Sequence, residues 1–280
     1  MKRQLWINFG LALGVAVLAW LVFFRSERLA DAGLYKLSSM SASQVDKIGI
    51  SVANQPRIEL VKKQNTWFLT EPLRARADPL RVESLLGVLT SQSAKRFAAK
   101  DLARYELDKP LAQLQMGAQT FAFGGVQPLS NQLYVLTQGA VYLISPVYFL
   151  DVAKPATDML AKQLLATEDV PVAFAFPHYT LTRQNGTWRM TPAADTFTQD
   201  NANTFADEWT HALASDVQPA TNLAAAHTVR VTLQSGKTLS VLFARANKEW
   251  LLLREDEGLL YRFPTAAGNA LLEPSFAPKE

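Results

Sequence analysis

Hydrophobic and polar positions divide the chain into one continuous apolar block and a long alternating remainder. The block, Leu5 to Phe24 (LWINFGLALGVAVLAWLVFF), holds no charged residue. A helix of that length, rising about 1.5 Å per residue, spans a bilayer core of about 30 Å. After it the apolar residues alternate over short runs that predict strands: Ile48, Ile50 and Val52, then Ile58, Leu60 and Val61. Further on, Val82, Leu85, Leu86 and Leu89 fall at i, i+3, i+4 and i+7. Behind Asp78 as N-cap and Pro79 in the first turn, they predict an amphipathic helix. Strands follow at Leu114 to Phe123, Leu133 to Leu136 and Val141 to Ile144, turning at Gly117 and Gly139.

The same succession returns about 120 residues later. Gln64-Asn65-Thr66-Trp67 is answered by Gln184-Asn185-Gly186-Thr187-Trp188, and Asn-Gly is a strong hairpin signal. Val172, Phe174 and Phe176, then Tyr179 and Leu181, supply the strands before it. Phe205, Trp209 and Leu213, capped by Asp200 or Asn201, supply the helix after it. Four more strands fold about Ser235-Gly236 and Gly258. The expected fold class is α+β: an N-terminal transmembrane helix followed by two tandem, mainly antiparallel sheet domains. Each domain has one principal helix and six or seven strands. The expected limits are 1–36 for the cytoplasmic tip, anchor and start of linker, 37–165 for the first repeat and 166–280 for the second. Leu34 to Ser43, rich in serine, reads as the linker. Pro155 to Leu165 reads as a helix bridging the copies.

The flanks of the apolar block identify it as an uncleaved signal anchor. A signal peptide carries a shorter core closed by a small-residue cleavage site, whereas this run ends in Trp20-Leu21-Val22-Phe23-Phe24 and passes into Arg25-Ser26-Glu27-Arg28. Lys2 and Arg3 on one side face Arg25, Arg28 and Lys36 on the other, so positive charge does not decide orientation. The absence of cysteine suits an oxidising compartment, and a very short leading tail is the usual form of a signal anchor. The N-terminus is therefore expected in the cytoplasm and the bulk of the chain outside the bacterial inner membrane; the inverted orientation is the alternative. Within the block Gly10 and Gly14 form G-x-x-x-G, a spacing that admits a partner helix and is also common in membrane helices at large.

Charge separates the copies. The formal net charge is +4 over residues 37–165 and −4 over 166–280. Arg74, Arg76, Arg81, Lys95, Arg96, Lys100 and Arg104 concentrate around the first helix. They form either an ordinary solvated face or a surface for anionic lipid, an acidic envelope polymer or an acidic protein. Nucleic acid is not an expected partner outside the cytoplasm.

Catalytic signals are sparse. His178, His211 and His227 lack ligand spacing, and there is no cysteine to complete a metal site. No nucleophile elbow, phosphate-binding glycine loop or dinucleotide fingerprint is present. Gly124-Gly125 reads as a strand-end turn, and Glu255-Asp256-Glu257 as solvated charge at a hairpin tip. Trp67 and Trp188, repeated after a hairpin, read as core rather than as ligand platforms. No catalytic residue, cofactor or metal is expected.

The anchor, Asp46-Lys47-Ile48-Gly49-Ile50, Gln64-Asn65-Thr66-Trp67-Phe68-Leu69, Tyr105-Glu106-Leu107-Asp108-Lys109-Pro110 and Asp158-Met159-Leu160-Ala161-Lys162-Gln163-Leu164-Leu165 together resemble an uncharacterised bacterial family of single-pass, membrane-anchored repeat proteins. That family is known only as a domain of unknown function. Some of its members accompany auxiliary subunits of gliding-motility-type ABC transporters, which implies an accessory role in an envelope complex. The resemblance carries no active-site residue with it. The expected function is that of a non-enzymatic accessory or scaffold protein of a cell-envelope or transporter complex. The alternative is a lipid- or glycan-binding module using the basic first repeat or the groove between repeats, and an envelope hydrolase ranks last.

Overall fold

The computed structural model describes residues 33–224 and 226–276. The expected anchor, with Gly10 and Gly14, lies outside the described residues. Among the described residues no helix is long and apolar enough to cross a membrane.

In chain order, β1 (Tyr35–Lys36) precedes a meander of β2 (Lys47–Val52), β3 (Ile58–Lys63) and β4 (Thr66–Glu71). The short β5 (Ala75–Arg76) and helix α1 (Pro79–Leu86) follow. Strands β6 (Gln92–Ser93) and β7 (Arg96–Ala98) lead into a second meander, β8 (Ala112–Met116), β9 (Gln119–Gln127), β10 (Gln132–Thr137) and β11 (Ala140–Ile144), closed by α2 (Val147–Val152). A like order then recurs: β12 (Pro171–Ala175), β13 (Thr180–Gln184), β14 (Thr187–Thr191), α3 (Gln199–Thr210) and β15 (Asp216–Pro219). After these come β16 (His227–Leu233), β17 (Thr238–Ala246), β18 (Glu249–Arg254), β19 (Leu259–Pro264) and α4 (Thr265–Leu272). The likeness extends to detail, since β7 pairs with β11 as β15 pairs with β19, and Glu71–Pro72 and Thr191–Pro192 are both cis.

These elements correct the expectation of tandem α+β domains that each rest on one principal helix. The described chain is mostly sheet. One sheet alone takes eight strands, and the helices are short. Helix α1 keeps Asp78 at its start, where the carboxylate accepts from Leu80 N–H at 2.9 Å, but it ends at Leu86 and tightens into a 3₁₀ turn over Gly87–Thr90. Helix α3 starts earlier than expected, with Thr198 as N-cap and Asn201 reciprocating in a capping box. Pro155 to Leu165 is not a bridging helix. Only Ala156–Met159 turns, as a 3₁₀ segment, because Leu160, Ala161 and Gln163 give their backbone to bridges with Ala77, Arg76 and Leu213. Strand-like pairing there outcompetes a poor local helix propensity. Leu34 to Ser43 is likewise no free linker: β1 pairs with β6, Leu37 is fully buried and Ser38 Oγ donates to Gln119 Oε1 at 2.7 Å.

Two compact units emerge, one of residues through Val45 together with Ser84–Val152, the other of Asp46–Glu83 together with Ala153 onward. The first contains the antiparallel order β8-β9-β10-β11-β7. Leu114, Phe121, Phe123, Leu133, Val135 and Tyr142 are buried on it. The second contains β5-β4-β3-β2 and the eight-stranded order β14-β13-β12-β16-β17-β18-β19-β15. One face of that sheet carries an aromatic core. Phe174 meets the rings of Phe205 at 4.9 Å and Trp209 at 5.4 Å, so α3 is seated by aromatic contacts. Each such buried ring contributes about 1.5–3 kcal/mol. The five glycines that the pattern places at hairpin turns have φ between +54° and +86°, a region that other residues enter at a cost.

Candidate functional site

The seven basic residues singled out by charge do not share one environment. Arg74, Arg76 and Arg81 belong to one compact unit, and Lys95, Arg96, Lys100 and Arg104 to the other. Arg74, Lys95, Arg96, Lys100 and Arg104 are exposed and Arg81 is half-buried. Arg76 is 8% exposed and is committed to an internal ion network.

That network grows from local pairing. Strand β5 places Phe68 opposite Arg76, and Ala161 N–H then donates to the Arg76 carbonyl at 3.0 Å, clamping the backbone. The side chain donates through Nε to Glu257 Oε1 at 2.6 Å. Its Nη2 donates to Tyr261 Oη at 3.1 Å and to the carbonyl oxygens of Gln163 and Leu164 at 2.9 and 3.2 Å. Tyr261 Oη in turn donates to Glu257 Oε2 at 2.6 Å. Arg254, 2% exposed, donates from Nη1 to the Leu164 carbonyl at 2.7 Å and from Nη2 to Asp256 Oδ2 at 2.7 Å. Lys237 Nζ reaches the same Asp256 oxygen at 3.1 Å.

Burial alone would lower the Arg76 pKa, but the hydrogen bonds and charge of Glu257, with Tyr261, outweigh it and hold the guanidinium above its ordinary value. Burial first, and then the Glu257 charge, push the Tyr261 phenol well above the usual tyrosine range. Burial raises the Asp256 carboxyl, yet Arg254 and Lys237 overcome it and leave the group below its ordinary value. With both arginines multiply bonded and both carboxylates paired, the cluster holds fixed charge in place. It fastens β5 to the β18–β19 turn.

The expectation that Glu255-Asp256-Glu257 is merely solvated turn charge is therefore corrected for Asp256 and Glu257. The sequence carried a usable signal. Trp250, Leu252 and Arg254 alternate onto the inward face of β18, and a charged residue at an inward position requires a buried partner.

In the other unit, residues Leu102–Tyr105 form a 3₁₀ turn entered through Asp101 at φ +50° and left through Glu106 at φ +55°. This strap crosses β9 at Gly124-Gly125, which lie within the strand and not at a strand-end turn as expected. A Cβ on Gly124 would collide with the Tyr105 carbonyl oxygen, and one on Gly125 would stand 2.8 Å from the Glu106 carboxyl carbon. Beside the strap, half-buried Phe97, Tyr105 and Tyr134 form a ring cluster with centroids 4.8–6.4 Å apart, packed on Leu107, Ala122 and Val141. Residues 95–105 thus carry both the partly exposed aromatics Phe97 and Tyr105 and the exposed cations Lys95, Arg96, Lys100 and Arg104.

His178, His211 and His227 are exposed. Among the described residues no group of three or more His, Cys, Asp and Glu side chains stands close enough to hold a metal ion. Trp67 and Trp188 are 9% and 2% exposed.

One family model matches the chain over residues 67–249: Domain of unknown function (DUF4340). No curated protein and no solved structure matches.

Proposed function

The chain belongs to the DUF4340 family, a domain of unknown function, and on that premise we propose that it is a non-enzymatic accessory protein of a cell-envelope or transporter complex. In this reading Leu5 to Phe24 tethers it to the bacterial cytoplasmic membrane, with the bulk of the chain extracytoplasmic. The observation that carries it is the surface formed by residues 95–105 and Tyr134. Partly exposed aromatic rings together with exposed arginines have the composition of a protein-docking surface, in which tyrosine and arginine supply most of the binding energy. The partner's facing surface is acidic.

The test is affinity isolation of the full-length chain from gently solubilised membranes, with the triple reversal Arg96→Glu, Lys100→Glu and Arg104→Glu run in parallel. A stoichiometric protein recovered with the parent chain and lost from the triple variant supports the proposal. Repeated recovery of the chain alone, or a partner indifferent to the reversal, overturns it.

A further inference from the structure

We infer that the cavity beside Trp67 is a binding site for a neutral saccharide of one or two rings. The cavity encloses about 370 Å³, within the usual size range of small-molecule sites, and is lined by Asn65, Trp67, Arg76, Gln163, Thr167 and Glu168 among others, all in one compact unit.

The four described tryptophans set Trp67 apart. Trp188 donates its indole N–H to Asn203 at 3.2 Å, Trp209 to the Leu271 carbonyl at 3.0 Å and Trp250 to Asn269 at 2.7 Å. A buried indole ordinarily finds such a partner. Trp67 is 9% exposed, yet its N–H meets no acceptor among the described residues. Nor is it sealed off, since the Tyr179 hydroxyl is the only buried side-chain polar atom without a partner among them. The indole N–H is therefore not sealed from solvent, and Trp67 lines this cavity.

The remaining polar groups of the wall define the ligand. Asn65, Gln163, Thr167 and Glu168 are exposed at the mouth of the cavity, and their side chains make no hydrogen bond to another described residue. The amides of Gln119, Gln199 and Asn203, by contrast, are all spent on structure. Two free amides, a hydroxyl, a carboxylate and an indole edge offer donors and acceptors spaced around an apolar surface. Alternating hydroxyls and C–H faces of a sugar ring complement that lining. The cavity's one arginine, Arg76, is already engaged by Glu257 and two carbonyl oxygens, and Glu168 is exposed. An anionic ligand therefore finds no uncommitted cation at Arg76, and a neutral one needs none.

The inference does not rest on the accessory-protein reading, because the residues involved are not those of the 95–105 surface. Its test is saturation-transfer NMR on the full-length chain, kept in a sugar-free detergent, with cellobiose, maltose and N,N′-diacetylchitobiose as probes at up to about 10 mM. Saturable transfer to at least one disaccharide is expected. Trp67→Phe, which keeps an aromatic ring and removes the N–H, should weaken it at least about fivefold without moving the melting temperature by more than a few degrees. Gln163→Ala and Glu168→Gln, both at exposed positions, should weaken it while leaving the fold intact, so the proposal stays testable if Trp67→Phe misfolds. Absence of transfer to all three disaccharides overturns the inference. So does undiminished binding in Trp67→Phe, or in both exposed variants together.

Discussion

Gln199 lays its side-chain amide along the outer edge of β14, where its Oε1 accepts from the Trp188 backbone N–H and its Nε2 donates to the Trp188 carbonyl, both at 2.8 Å. A neighbouring strand would make the same two bonds. Strand β14 is one edge of the eight-stranded sheet, and an open edge is a template for unwanted pairing between chains. The first residue of α3 thus closes the edge at its tryptophan. Replacing Gln199 with Leu removes both part-buried bonds and should cost about 1–2 kcal/mol. The same variant should associate through its bared edge. Thermal unfolding reads the first effect, and light scattering across a concentration series reads the second; a variant as stable and monodisperse as the parent chain would mean that the amide plays no protective part.

Removing Arg76 leaves Glu257 in a pocket where it is 12% exposed, deprived of its closest cationic partner. Breaking a buried pair in this way costs about 3–5 kcal/mol. Arg254 remains 3.3 Å from Glu257, so Arg76→Met should fall toward the lower end of that range, and the double variant Arg76→Met, Glu257→Gln should recover part of it, because the carboxylate that lost its closest cation is then neutral. A double-mutant cycle by chemical denaturation measures the coupling. Additive losses would show that the two residues contribute independently.

These two relationships also mark where the sequence could be read and where it could not. The hairpins were legible because alternation and Asn185-Gly186 are local signals, and the recurrence of the tryptophan hairpin was legible because Gln-Asn and Thr-Trp return with only Gly186 added between them. The partners of Arg76 were not, since Glu257 and Tyr261 lie 181 and 185 positions away. Nothing local distinguishes an arginine bound for a buried network from one bound for solvent, which is why the charge pattern groups Arg76 with Arg74 and Arg81. Helix periodicity misled for a different reason. Val82, Leu85 and Leu89 are all buried, but Leu89 reaches burial from a 3₁₀ turn. The apolar count therefore overestimated the length of α1. Gly124-Gly125 invited a turn assignment because the element that needs their missing side chains, the strap at Tyr105, lies about twenty residues earlier in the chain.

Asp256 predicts how the fold responds to acid. Its carboxyl lies below the ordinary value of 3.8 in the folded chain because Arg254 and Lys237 favour the charged form. The unfolded state therefore binds the proton more readily. The stabilisation is present above the ordinary value and is lost as pH falls below it toward the folded value. Asp256→Asn should lose about 1–2 kcal/mol at neutral pH, through lost hydrogen bonds to a charged group, and should show a shallower decline as pH falls below the ordinary value of 3.8 than the parent chain. Unfolding free energies measured across that range decide it; parallel curves would assign the acid sensitivity to other carboxylates.

Gly124 provides a steric test of the strap. A Cβ there meets the Tyr105 carbonyl oxygen and also stands 2.8 Å from Leu107 Cγ, so an alanine cannot be accommodated by a side-chain rotation alone. Either the strap lifts from β9 or the strand yields, and forcing a methyl group into such a contact costs about 1–3 kcal/mol. Lifting is the expected outcome, because Asp101 and Glu106 bound the strap in left-handed conformations, whereas β9 is held by β8 up to Phe123 and by β10 on either side of the irregularity at Gly124-Gly125. Gly124→Ala should therefore raise amide hydrogen exchange at Leu102 to Leu107 while leaving β9 protected. If the exposed surface of residues 95–105 is the docking site, the variant should also weaken partner recovery, since Tyr105 moves with the strap. Increased exchange confined to β9 would place the compliance in the sheet instead.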